Sequence, residues 1–206
     1  MKELRGRLGR AVVFLSLAVF VAAQVAPPYV PPVYAGQKLL DAIAKRGELS
    51  FFYGALVASR IDLTLVENVD RQPVTVFAPN NAAFQALDPE LQACLQSEKG
   101  KLNILTQILT FHIAVGRNFT VDELKSVKEL PTVMGMALDL EVALGGKILI
   151  EKTATIVGPN ALSSYNATVH IIDDVMIPGN LVGNILTGCY GVPASSSLPM
   201  PSAGSF

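Results

Sequence analysis

The sequence predicts an α+β fold, because its helical patterns come first and its strand patterns follow. Three observations carry this reading. Early apolar residues recur at three- and four-residue spacings. From Leu130 onward they mostly alternate with polar residues. Apart from one run near the N-terminus, apolar residues fall in short groups broken by charge, glycine or proline, as in a packed globular core.

Leu39, Leu40, Ile43 and Ala44 share one helical face, and Gly47 is placed to stop that helix. Leu49, Phe52, Tyr53, Leu56 and Val57 mark a second helix. Pro73 to Ala78 reads as a short strand. Asn80 is positioned to cap a short helix through Phe84 and Leu87. Asp88-Pro89-Glu90 is a strong helix start: a cap, a first-turn proline, then an acid near the positive end of the dipole. Leu102, Leu105, Ile108 and Leu109 mark a further helix. Thr120 and Glu123 form a capping box for a short helix through Leu124. Leu138, Leu140 and Val142 then alternate with Asp139 and Glu141. Gly145-Gly146 is a hairpin turn, followed by Ile148 and Ile150 on one face. Thr153 to Val157, a turn at Gly158-Pro159-Asn160, and Thr168 to Ile172 complete the strand series.

The chain has 206 residues, half of them hydrophobic and 16% charged, with a mean hydropathy of +0.42. The one long apolar run, Ala11 to Ala23, follows Lys2, Arg5, Arg7 and Arg10 and ends in small residues. Residues 1–23 therefore read as a signal peptide cleaved after Ala23. The rival reading, a retained anchor, needs about 20 apolar residues. Cleavage removes four basic residues and Glu3, taking the net charge from −1 to −4. No basic block remains, which argues against nucleic-acid partners. Residues 24–36, with Pro27, Pro28, Pro31 and Pro32, read as an extended spacer open to a proline-recognising partner. The globular domain is expected over 37–180 and a Ser/Pro-rich tail over 181–206. Ser195 to Phe206 lacks the hydrophobic stretch that ends a GPI signal.

Cys94 and Cys189 are an even count, which in an oxidising compartment implies one disulfide; two unpaired thiols are the alternative.

Thr75 to Phe84, Leu109 to Ile113 and Val169 to Pro178, taken together and in this order, resemble segments of the fasciclin domain family. Thr75-Val76-Phe77-Ala78-Pro79-Asn80-Asn81-Ala82-Ala83-Phe84 resembles its first signature box. Val169-His170-Ile171-Ile172-Asp173-Asp174-Val175-Met176-Ile177-Pro178 resembles the second. Leu109-Thr110-Phe111-His112-Ile113 resembles the intervening segment, where an aromatic precedes a histidine. The resemblance spans roughly Gln37 to Asn180 and implies a single domain of helices packed on a small, mainly antiparallel β wedge. It further implies a secreted adhesion or matrix-interaction protein, with cell-surface or matrix proteins or polysaccharides as partners. A membrane enters only through a retained leader. Phe111, His112, Asp173, Asp174 and Met176 are the interaction candidates that follow. Phe111 stands where some animal members carry a tyrosine associated with integrin binding, so the phenol is missing here. Asn166-Ala167 stands where an Asn-Gly turn is common.

No Gly-x-Ser-x-Gly, phosphate-binding loop or His-Glu-x-x-His is present, so no enzyme, cofactor or metal is expected. His112 and His170 are open to two readings: a base or metal pair with Asp173 and Asp174, or hydrogen-bonded core residues. Asn118-Phe119-Thr120 and Asn166-Ala167-Thr168 are N-glycosylation sequons at loop-to-element junctions. The alternative function is an extracellular module binding a small apolar molecule or polysaccharide in a groove between sheet and helices.

Overall fold

The computed structural model describes residues 35–164 and 166–191, all within one compact unit. The expected leader, the spacer up to Tyr34 and the tail after Gly191 lie outside the described residues.

Three helices open the domain: α1 (Ala35–Ala44), α2 (Ser50–Ala58) and α3 (Ile61–Arg71). The stripe on α1 buries Leu39, Leu40 and Ile43. The helix stops short of Gly47, which instead opens a single 3-10 turn leading into α2. Gly36 lets α1 lie directly on α3: a Cβ there would sit 2.4 Å from the Val66 carbonyl oxygen. Helix α3 has no counterpart among the sequence expectations. Ile61, Leu65 and Val69 recur every four residues and are buried, but the charged and polar residues between them dilute the stripe.

Strand β1 (Val74–Pro79) leads into α4 (Asn81–Ala86), where Asn80 Oδ1 accepts from Ala83 N–H at 2.8 Å. Helix α5 (Pro89–Gln96) is capped by Asp88, which accepts from the Glu90 and Leu91 amides. One turn, α6 (Glu98–Gly100), a π-turn at Lys101–Leu105 and α7 (Thr106–Phe111) follow. The wider π-turn shifts the helical phase. Ile104 and Leu105 are buried, whereas Leu102, expected on the apolar face, is 61% exposed. After β2 (Ile113–Val115), both halves of the Thr120–Glu123 capping box are formed at α8 (Val121–Leu124).

The strands β3 (Glu129–Pro131), β4 (Ala137–Val142), β5 (Ile148–Ile150), β6 (Ala154–Ser164) and β7 (Ala167–Ile172) complete a seven-stranded sheet. Its order is β2-β1-β7-β6-β5-β4-β3. The expected α+β class and mainly antiparallel pairing hold, but the small wedge is corrected: the sheet has seven strands, and one of its pairs is parallel. The sheet is mixed, because β1 and β7 pair in parallel through the long chain between them. It is also barrel-like: Ala114 bridges Thr132, and Val133 N–H donates to Ile113 O at 2.9 Å, bringing the two ends of the sheet together. Closure leaves fewer unpaired edges.

The expected turn at Gly158-Pro159-Asn160 is corrected too. These residues form a bulge inside β6, which continues to Ser164 before β7 begins at Ala167. Gly158 is held against Ile171, where a Cβ would lie 2.9 Å from the isoleucine Cβ. Asn160 takes a left-handed conformation with φ 49°. Its side chain compensates by accepting from Val121 N–H at 3.0 Å. The Gly145–Gly146 hairpin forms as expected between antiparallel β4 and β5, with φ 83° and 77°. Leu138 and Leu140 are buried, but Val142, at the strand end, is half exposed.

Alternation along the central strands builds two cores, one on each face of the sheet. Val74, Val76, Ala78, Ala167, Val169 and Ile171 pack with the helices. Phe77, Ile172, Leu138, Ile148, Ile150 and Met176 fill the other face. Folded chain also continues past the expected boundary at Asn180. A 3-10 turn and α9 (Val182–Gly188) bury Leu181 and Ile185. Cys189, just after α9, is joined to Cys94 on α5, with Cα atoms 5.3 Å apart.

Candidate interaction surface and the buried histidines

The second box runs from β7 into an extended segment, Asp173 to Pro178. Asp173 continues the β6 pairing beyond the strand. Its amide donates to Thr155 O at 3.2 Å, and its Oδ1 accepts from Thr155 N–H at 2.6 Å. Asp174 folds back onto the Val175 amide at 2.8 Å. Asp173 is exposed and Asp174 half-buried. Phe111, His112 and, within the same segment as the aspartates, Met176 are buried in the core. Of the five residues expected to make contacts, only the two aspartates offer surface in the folded domain.

His112 ends α7 and is fully enclosed. One ring nitrogen, Nδ1, lies 2.7 Å from Ile108 O, which can only accept, so Nδ1 carries the proton. The other, Nε2, accepts from Met176 N–H at 3.1 Å. The ring is therefore a neutral clamp between α7 and the second box. Burial drives its pKa down to about 4, opposed only in part by the Ile108 carbonyl.

His170 on β7 uses the opposite tautomer. Its Nε2–H donates to Phe119 O at 2.9 Å, and Nδ1 accepts from Asn160 N–H at 3.2 Å. The ring stacks on Phe77 with centroids 5.8 Å apart. Burial again lowers the pKa, against the Phe119 carbonyl. Beside it Thr75 Oγ1–H donates to Arg117 O and accepts from Phe119 N–H, both at 2.9 Å. The loop bearing the Asn118 sequon is thus pinned from below. Asn166, the other sequon, lies at the β6–β7 reversal, and its Nδ2 donates to Val69 O at 3.0 Å.

Neither histidine reaches Asp173 or Asp174 through a hydrogen bond, since both nitrogens of each ring are engaged with backbone groups. Among the described residues no cluster of three or more His, Cys, Asp or Glu side chains is placed to hold a metal.

The surface carries an apolar groove of about 360 Å³ that sequence reasoning did not locate. It lies among α2, α4, α5 and the π-turn rather than between sheet and helices. Gly54, Ala55 and Ala58 are among its lining residues, with Phe51, Leu95 and Leu105 around them. The signal was present in the sequence: Ser50 to Ala58 contains no charged residue.

These features define a class: an α+β module of helices on a mixed seven-stranded sheet, with both histidines built into its core. The fasciclin domain model matches residues 47–178, and the chain belongs to the fasciclin domain family. It is 35% identical over 127 residues to protein sll1483 of Synechocystis, covering 61% of this chain and 67% of that one. It is 28% identical over 117 residues to the cell surface glycolipoprotein MPB83 of Mycobacterium bovis, covering 57% of this chain and 49% of the relative. The fold matches that of a FAS1 domain pair from the insect cell adhesion molecule fasciclin I, with a TM-score of 0.59 and 18% identity. That match covers 69% of this chain and 51% of the other.

Proposed function

We propose that this chain is an extracellular adhesion or matrix-interaction module that performs no catalysis. The observation that carries the reading is its membership of the fasciclin domain family over residues 47–178. The disulfide supports an oxidising compartment, and the apolar run behind a basic N-terminus supports secretion through a leader removed after Ala23. Partners are surface or matrix proteins or polysaccharides, met through exposed parts of the module. Asp173 and Asp174 form one such contact, at an edge held rigid by the Thr155 pairing. In a eukaryotic host, glycans at Asn118 and Asn166 extend the contacting surface.

Two measurements test this. The intact mass of protein secreted by a eukaryotic host is expected to show an N-terminus at Gln24 and to fall on N-glycosidase treatment. Immobilised protein is expected to hold cells above an albumin background, and Asp173→Lys with Asp174→Lys to reduce that attachment without unfolding the domain. Retention with the leader intact, together with attachment at background, overturns the proposal.

A further inference from the structure

The bulge in β6 is held by a side chain rather than by the sheet. Opposite Pro159, Asn160 and Ala161, strand β7 supplies one residue, His170. Regular pairing skips these three residues and resumes at Gly158–Ile171 on one side and Leu162–Val169 on the other. The Asn160 amide donates instead to His170 Nδ1 at 3.2 Å. Asn160 passes this hold outwards, since its Oδ1 accepts from the Val121 amide that opens α8, at 3.0 Å. Its left-handed φ of 49° is unfavourable for a residue with a Cβ, and these two bonds offset the strain. Pro159 and Asn160 are exposed, whereas the ring beneath them is fully enclosed.

Only one group in this chain of contacts can change its charge. The neutral ring has a single acceptor, Nδ1, because Nε2–H donates to Phe119 O. A second proton must therefore bind Nδ1, where it meets the Asn160 N–H and sets donor against donor. The bond to Phe119 survives, since Nε2 remains a donor. Among the described residues no ion pair offsets the new charge. Strand β1 contributes Phe77, stacked on the ring, and β7 itself the apolar Val169 and Ile171. Arg117 pairs with Glu123, and Asp122 with Lys125. Arg46, which donates to Ala161 O, pairs with Glu48, and Asp173 is held by Thr155. A charged ring is thus stable only when water reaches Nδ1. Outward movement of the bulge lets it in and breaks no register pair.

We infer that His170 is an acid-operated catch: on taking a proton at Nδ1 it lets go of the β6 bulge and, through Asn160, of the first amide of α8, while Phe119 and the rest of the domain stay in place. The surface that acid remodels is Pro159 to Ala161 with the start of α8. Burial holds the pKa of the closed ring below the ordinary histidine value. The closed form is therefore complete above about pH 6.5 and is lost as pH falls. This inference does not depend on the adhesion reading, because its readout is the exchange of individual amides.

Hydrogen exchange followed by NMR on the full chain, expressed as protection factors from about pH 7.5 to about pH 5, tests it. The Asn160 and Val121 amides are expected to lose protection together, by up to about tenfold per pH unit below about 6.5, as uptake of one proton requires. The Phe119 amide, held by Thr75 Oγ1, and the Phe77 amide, held by His112 O, should keep theirs. His170→Gln has no titrating ring, so its protection at Asn160 and Val121 should not vary with pH over this range. Asn160→Gly suits the left-handed position and keeps the amide on Nδ1, but it cuts the link to α8. Val121 should then exchange fast at every pH, while the amide at position 160 keeps the pH dependence of the wild type. This variant keeps the test decisive even where His170→Gln folds poorly. Constant protection at Asn160 and Val121 in the wild type overturns the inference. So does an equal loss at Phe77, which means that the whole domain opens, and so does a pH dependence that survives His170→Gln.

Discussion

The domain holds distant parts of its chain together in two different ways. Inside the core, His112 joins α7 to the second box, 64 residues further on, through two hydrogen bonds to backbone groups. Nearer the surface, the Cys94–Cys189 bridge joins α5 to the residue after α9, 95 residues apart. The histidine is central, uncharged and sensitive to acid. The disulfide is peripheral, indifferent to pH and sensitive to reductant. The difference shows that a polar residue in a signature motif need not serve a ligand. Here it serves packing that no apolar side chain could provide, because Ile108 O and Met176 N–H both require a partner.

Removing the central clamp should have the largest effect. His112→Ala leaves a cavity and two unpaired buried backbone groups, and is expected to cost about 4 kcal/mol, read from urea unfolding. Acid tests the same clamp without mutation. The unfolded chain takes up a proton at this histidine near pH 6.5, whereas the folded chain resists until about pH 4. Stability should therefore be full above pH 6.5, fall as pH drops towards 4, and lose no more to this group below that. The loss is bounded by about 3 kcal/mol, and His170 adds to it in the same direction. His112→Asn keeps a donor and an acceptor without a titrating ring, so its pH profile should be flatter than the wild type's. An unchanged profile would place the acid sensitivity elsewhere.

The peripheral clamp should matter less. Cys94→Ser with Cys189→Ser is expected to cost about 2 kcal/mol, the low end for a disulfide, because α9 buries few side chains. Hydrogen exchange should accelerate over residues 181–191 and little within β1 or β7. Equal acceleration throughout would make the bridge as central as the histidine. Asn80→Ala removes one helix cap and should cost about 1 kcal/mol.

Much of this was legible in the sequence wherever a local rule acts alone. The Asn80, Asp88 and Thr120 caps and the Gly145–Gly146 hairpin depend on a few consecutive residues, and each forms as read. Features set by distant chain were harder to read. Helix α3 is revealed by what Ile61, Leu65 and Val69 pack against, not by their diluted spacing. The bulge at Asn160 depends on His170 and Val121, 10 and 39 residues away. The parallel pairing of β1 with β7 joins segments on either side of the whole helical and hairpin middle. At the candidate surface the motifs named residues by pattern, but pattern does not report depth. Phe111 and Met176 pack into the same core as Phe77, and the exposed α2 face carries no motif at all.

The position of the disulfide also decides how the module responds to mechanical load. When its two ends are pulled apart, tension entering behind Tyr190 reaches Cys189, crosses the bridge to Cys94 and continues towards Ala35. The chain between the two cysteines, which contains every strand except β1, stays off the load path. What can be drawn out is the N-terminal arm up to Cys94, roughly 200 Å at about 3.5 Å per residue. The larger loop stays gathered until the sulfur–sulfur bond itself is cleaved, so the bridge acts as a limit on extension.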